Sequence, residues 1–179
     1  MSDLNRIRRV SPRLQAFCGV VIIGFLAGHV LEWTVPEAAQ FFDSGRFRDS
    51  LAGIGPLSPI QSLIGLAASS GPTVLLCLAF WHLHGLFGEY AQGAVFSGEA
   101  VRRLARFGWA MALVAPAQIL TVPLVSVAVT IFNPPGHREL MLYADPYDVV
   151  VLLLGGATIV IAWVMGEARR IELDHREIV

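Results

Sequence analysis

Lysine is absent from this 179-residue chain, and all 13 of its basic residues are arginine. Charge of either sign is scarce: 15% of residues carry it, where a soluble domain carries roughly a quarter. With a formal net charge of −1 there is no global basic field to gather nucleic acid, and no direct nucleic-acid binding is expected. The only cysteines, Cys18 and Cys77, lie inside apolar stretches and make no disulfide framework. Phosphate-binding loops, a Gly-x-Ser-x-Gly elbow, a His-Glu-x-x-His helix and zinc-spaced cysteine pairs are all missing. The expectation is therefore a protein that is not an enzyme and has no cofactor. Neither half repeats the other, which counts against an inverted-repeat transporter.

Apolar residues are abundant. They make up 55% of the chain, mean hydropathy is +0.61, and they are bunched rather than spread. A spanning helix needs about 20 mostly apolar residues to cross roughly 30 Å of hydrocarbon. Four segments qualify, at about 14–35, 60–87, 107–132 and 149–166. They do not alternate as barrel strands would, so helices are expected. The fold class read here is all-α: a polytopic membrane protein of four transmembrane helices in an antiparallel bundle, one membrane domain over 1–179. The outer loops are 36–59 and 133–148, the inner loop is 88–106, and the tail is 167–179.

Arginine placement sets the expected orientation. Arg6, Arg8, Arg9, Arg13, Arg102, Arg103, Arg106, Arg169, Arg170 and Arg176 fall on one side, against Arg46, Arg48 and Arg138 on the other. Both termini are thus expected in the cytoplasm of a bacterial inner membrane. Trp81, Tyr90, Trp109 and Trp163 are expected near the inner interface, and Trp33, Tyr143 and Tyr147 near the outer one.

Local signals fill in the ends. Phe41, Phe42, Phe47 and Leu51 among charged residues suggest either a short interfacial helix or an irregular cap. The Ser69-Ser70-Gly71-Pro72 stretch should kink the second span, and Pro116 and Pro123 the third. Ser97 reads as an N-cap with Glu99 in the first turn, and Asp145-Pro146 as another helix start. Gly24 with Gly28, and Gly155 with Gly156 and Ala157, allow close helix packing within the bundle or, less directly, in a homo-oligomer.

Ionisable residues at membrane depth are functional candidates by default. Here they are His29 with Glu32, and His82 with His84. A haem or metal site would need His29 and His82 together. His29 lies 15 residues beyond Leu14, about 22 Å along the axis, whereas His82 is five residues before Phe87, about 8 Å from the same face. They should sit near opposite surfaces, which leaves these histidines as hydrogen-bonded or interfacial groups. His29 and Glu32 share a helix face and could form a pH-sensitive pair.

Two stretches, read together, carry a resemblance. The first runs from Leu86-Phe87 through Tyr90, Gly93, Phe96 and Glu99, then a basic helix with Arg102, Arg103 and Arg106, to Gly108-Trp109. The second is the closing segment in which a spanning helix runs into Gly166-Glu167-Ala168-Arg169-Arg170 and a charged tail with Glu172 and Glu177. Together they resemble the bacterial membrane-protein family catalogued as domain of unknown function 2975. That resemblance implies four spans and no established activity. By gene association it also implies a cytoplasmic helix-turn-helix partner.

The expected interaction face is Phe87, Tyr90, Phe96, Glu99, Arg102, Arg103, Arg106, Glu167, Arg169, Arg170 and Glu177, with the loop arginines paired to tail carboxylates. A non-enzymatic regulator or sensor acting through this loop and tail is the first reading. A haem- or redox-active bundle and an oligomeric transporter or channel are the alternatives.

Overall fold

The computed structural model describes residues 3–35, 57–138 and 140–177. Expectations for the segment 36–56, including the interfacial helix around Phe41, Phe42, Phe47 and Leu51, lie outside the described residues. Five helices are present among them: α1 (Asp3–Thr34), α2 (Pro59–Ala68), α3 (Ser70–Ala91), α4 (Gly98–Thr130) and α5 (Pro146–Glu177). No strand occurs among the described residues. Four helices, all but α2, are long and apolar enough to cross a membrane.

Exposure agrees with that placement. Ile23, Leu120 and Leu153 are 68%, 70% and 66% exposed on the helix surfaces. Such faces suit hydrocarbon rather than water, and no other described residue covers them.

The expected kink in the second span is a full break. Ser69 ends α2 and α3 begins at Ser70, so α2 stands apart as a ten-residue apolar helix. Pro72 has no N–H to offer the preceding turn, and the serine hydroxyls take over part of that role. Ser69 Oγ donates to the carbonyls of Gly65 (2.7 Å) and Leu66 (3.4 Å), and Ser70 Oγ to that of Ala67 (2.8 Å). By contrast α4 runs unbroken through Pro116 and Pro123.

Helix starts follow their sequence signals. Ser97 Oγ accepts from the Ala100 amide at 3.0 Å. Asp145 accepts from the Tyr147 amide at 2.7 Å and from the Tyr143 hydroxyl at 2.9 Å, which together hold its carboxyl below the usual range. The Ser58–Gln61 pair forms a reciprocal capping box at the start of α2.

Packing runs in a row. α1 lies against α3, α3 against α4, and α4 against α5, while α2 packs mainly on α4 and also touches α1 and α3. Among the described residues the α1 backbone closely approaches neither α4 nor α5, so the four long helices do not close into a ring. Contacts fix the registers. Along α1 and α3, Gln15 meets Gly88 and Phe25 meets Phe80, with ring centroids 5.7 Å apart. Along α4 and α5, Val101 meets Gly166, Gly108 meets Ile159, and Ala112 meets Gly155. In both pairs the numbers rise along one helix as they fall along the other.

Trp33 departs from its expected role as an interfacial anchor. It is 3% exposed and packs with Val125 and Val129, its ring lying over Gly65 where a side chain would stand. The absence of a side chain at Gly65 creates this slot, and within it the indole Nε1 is buried without a hydrogen-bond partner among the described residues.

The two glycine motifs also separate. A Cβ on Gly24 would meet nothing within 4 Å among the described residues. A Cβ on Gly155 would stand 2.8 Å from the Cα of Ala112, against backbone that cannot swing aside. Gly155→Val is therefore expected to cost about 1–3 kcal/mol by forcing α4 and α5 apart. Gly156→Ala, beside open space, should leave stability unchanged. Thermal unfolding of the two variants in the same detergent checks this; equal melting temperatures would contradict the packing account.

Candidate interaction site at the arginine end

The six residues between α3 and α4 form a tight turn. Gly93 has φ +84, a left-handed conformation that suits glycine, and its amide donates to the Tyr90 carbonyl at 3.0 Å. The Ala94 amide reaches back to Glu89 O at 3.0 Å, closing the end of α3. Ser97 then does double duty. While capping α4, its hydroxyl donates to Glu89 Oε2 at 3.1 Å and ties the end of α3 to the start of α4.

This turn and the helix ends beside it receive a polar side chain at each of four glycines. The Arg103 guanidinium occupies the space a side chain on Gly85 would fill, and the Arg169 guanidinium does the same over Gly98. The Gln15 amide lies over Gly88, 3.2 Å from where a Cβ would stand. Arg8 runs past Gly93, its Cδ 3.7 Å from the corresponding position. The guanidinium is planar, and at Gly85 and Gly98 the missing side chain leaves room for it to lie against the backbone. Three helices, α1, α4 and α5, thus attach to residues 85–98 by side chains laid on glycine.

The expected pairing of the loop arginines with tail carboxylates falls on Glu172 and Glu177, whose side chains lie outside the described residues, and the described partner of Arg102 and Arg103 is Glu99. Arg102 binds Glu99 Oε2 through Nη2 (2.7 Å) and Nε (3.1 Å). Arg103 Nε lies 3.0 Å from Glu99 Oε1 as an ion pair, off the line of a good hydrogen bond. Glu99 is three and four residues from these partners on one helix face, so pairing costs no loop closure, and such exposed pairs contribute little to stability. Glu167 is exposed, and the side chain of Glu177 lies outside the described residues.

Other members of the expected face are divided. Arg102, Arg106, Arg170 and Phe96 are exposed, whereas Arg103 and Arg169 are half-buried in their notches. Phe87 and Tyr90 are half-buried and meet edge to face at 6.3 Å. These two rings pack the turn from within rather than offering a surface.

The histidines do not converge. His29 Nε2 donates to the Leu66 carbonyl at 3.1 Å, in the last turn of α2. His82 lies on α3 toward the arginine end, beyond the level of Phe80, and His84 stacks on Trp81 with centroids 5.9 Å apart. Among the described residues no three His, Cys, Asp or Glu side chains come together as a metal site. His29 is therefore neither poised toward His82 nor simply a helix end in headgroup water. It supplies a donor to a carbonyl beside the α2–α3 break, so two separate oddities of the sequence explain each other.

A polar knot missed in the sequence lies at the other end. Gln61 Nε2 donates to Val129 O (3.1 Å) and to Asn133 Oδ1 (3.2 Å), and buried Ser126 accepts from the Met141 amide at 3.1 Å. The readable signal was Ser58-Pro59-Ile60-Gln61, a capping-box spacing.

The chain matches the family described as Protein of unknown function (DUF2975) over residues 17–179. It belongs to this family. No curated protein and no solved structure matches it. Within this DUF2975 chain the stretch that carried the resemblance, Leu86 to Trp109, is the segment that holds three of the four glycine seats.

Replacing His29 tests the outer contact. His29→Leu should destabilise the protein by about 1 kcal/mol, since it removes the shorter of two side-chain bonds to the Leu66 carbonyl and leaves Ser69 Oγ at 3.4 Å. His29→Gln, which can still donate, should recover most of the loss. Equal melting temperatures for wild type and His29→Leu would contradict the assignment.

Proposed function

We propose that this protein is a small non-enzymatic regulator or sensor of the bacterial inner membrane. Its helices run antiparallel, both termini are cytoplasmic, and it acts through the inner turn and the end of α5. The observation that carries this reading is the convergence of α1, α4 and α5 on residues 85–98 through Arg8, Arg103 and Arg169. A shift of any of these helices in the bilayer alters how its arginine lies on the turn. The exposed Arg102, Arg106 and Arg170 beside it are then presented differently to a cytoplasmic partner. Ten of the 13 arginines on the cytoplasmic side support the orientation. By family association, the partner is a helix-turn-helix regulator. Its contact with the protein is charge-dependent, because the accessible groups on this face are mainly guanidinium.

Charge reversal tests the reading without disturbing the seats. Arg102→Glu with Arg106→Glu should insert normally, with both termini reported as cytoplasmic by reporter fusions. The same variant should lose a helix-turn-helix protein that co-purifies with the wild type from native membranes. A periplasmic terminus, or unchanged co-purification, would contradict it.

A further inference from the structure

We infer that the groove lined by Asn5, Arg8, Arg9 and Ala91 binds the phosphate headgroup of an anionic phospholipid. Asn5, Arg8 and Arg9 stand at i, i+3 and i+4, so they share one side of the first turns of α1. With Ala91 at the end of α3 they line an open cavity of about 440 Å³. One wall is the exposed Arg8 side chain, whose stem passes the turn at Gly93, with Cδ 3.7 Å from where a Cβ would stand. Guanidinium groups bind phosphate oxygens with paired donors, and the Asn5 amide adds another donor.

The acidic side chains described on the neighbouring turn have other partners. Glu99 is engaged by Arg102 and Arg103, and Glu89 accepts from Ser97. No ion pair involves Arg8 or Arg9 there. The depth is also right. Arg9 precedes Leu14, where the apolar run starts, by five residues, or about 8 Å along a helix, which matches the headgroup layer outside the hydrocarbon. A phosphodiester at this level would bridge α1 to the end of α3, next to the turn on which the other helices are seated. The inference requires only that the protein spans a bilayer, so it stands apart from the proposed regulatory role.

The test is native mass spectrometry of the full-length protein titrated with phosphatidylglycerol and, separately, phosphatidylcholine. Wild type should retain phosphatidylglycerol preferentially. Arg9→Gln, which leaves the Arg8–Gly93 contact intact, should lower that preference about fivefold, and Arg8→Gln with Arg9→Gln about 25-fold. Arg8→Lys with Arg9→Lys should fall between, keeping charge without the fork. Arg138→Gln, at the far end, should change nothing. No preference in the wild type, or a preference unaltered by Arg9→Gln, would overturn the inference. Displacement of the lipid by millimolar inorganic phosphate would likewise overturn it, in favour of a soluble phosphate.

Discussion

Hydrocarbon offers no partner to an N–H or a carbonyl, and this one constraint accounts for where every polar contact of the protein lies. The long helices satisfy their own backbones, so their middles are held by shape alone. At the tightest point Gly155 lies against the backbone of Ala112. Where the helical ladder is interrupted, at Ser69, side chains make up the difference: Ser69, Ser70 and, from a different helix, His29. Among the described residues, the other side-chain hydrogen bonds between separate segments are around Gln61 and Ser126 at one end and the 85–98 turn at the other.

The arginine end shows how a membrane protein with no lysine uses its charges. A guanidinium on a long apolar stem can lie flat across a helix provided that the helix has no Cβ beneath it. Gly85 and Gly98 supply those places, and Arg103 and Arg169 take them, while Arg8 passes the turn at Gly93 in ordinary van der Waals contact. The turn itself is stiffened by left-handed Gly93 and by Ser97, which serves both α3 and α4. α1 and α5, which do not pack on each other among the described residues, therefore share one point of attachment. The regulatory role proposed here rests on that shared point, and the groove beside Arg8 and Arg9 extends it to the lipid.

Much of this was legible in the sequence, and the parts that were not have a common cause. Helix number, the starts at Ser97 and Pro146, the interruption near Pro72 and the separation of His29 from His82 follow from local chemistry and helical rise. What escaped were pairings between distant segments. His29 could be seen as an anomaly and Ser69–Pro72 as another, yet nothing local says that one serves the other. Trp33 read as an interfacial anchor because its slot depends on Gly65, more than thirty residues away. Arg102 and Arg103 do pair with a carboxylate, Glu99 on their own helix, but the notches at Gly85 and Gly98 could not be read, since charge is visible in a sequence and a glycine notch is not. Gly88, Gly93 and Gly98 nonetheless stand inside the very stretch that carried the family resemblance, which is a reason to regard them as seats rather than as loop filler.

The central claim is that α1 and α5 both meet the turn between α3 and α4. Thiol cross-linking in native membranes tests it most directly, in a background of Cys18→Ser and Cys77→Ser. A short bifunctional reagent should join Arg8→Cys to Gly93→Cys and Arg169→Cys to Gly98→Cys, while leaving Arg138→Cys unjoined to Gly93→Cys. Failure of both arginine-end pairs to react, or equal reaction of the Arg138→Cys control, would contradict the account.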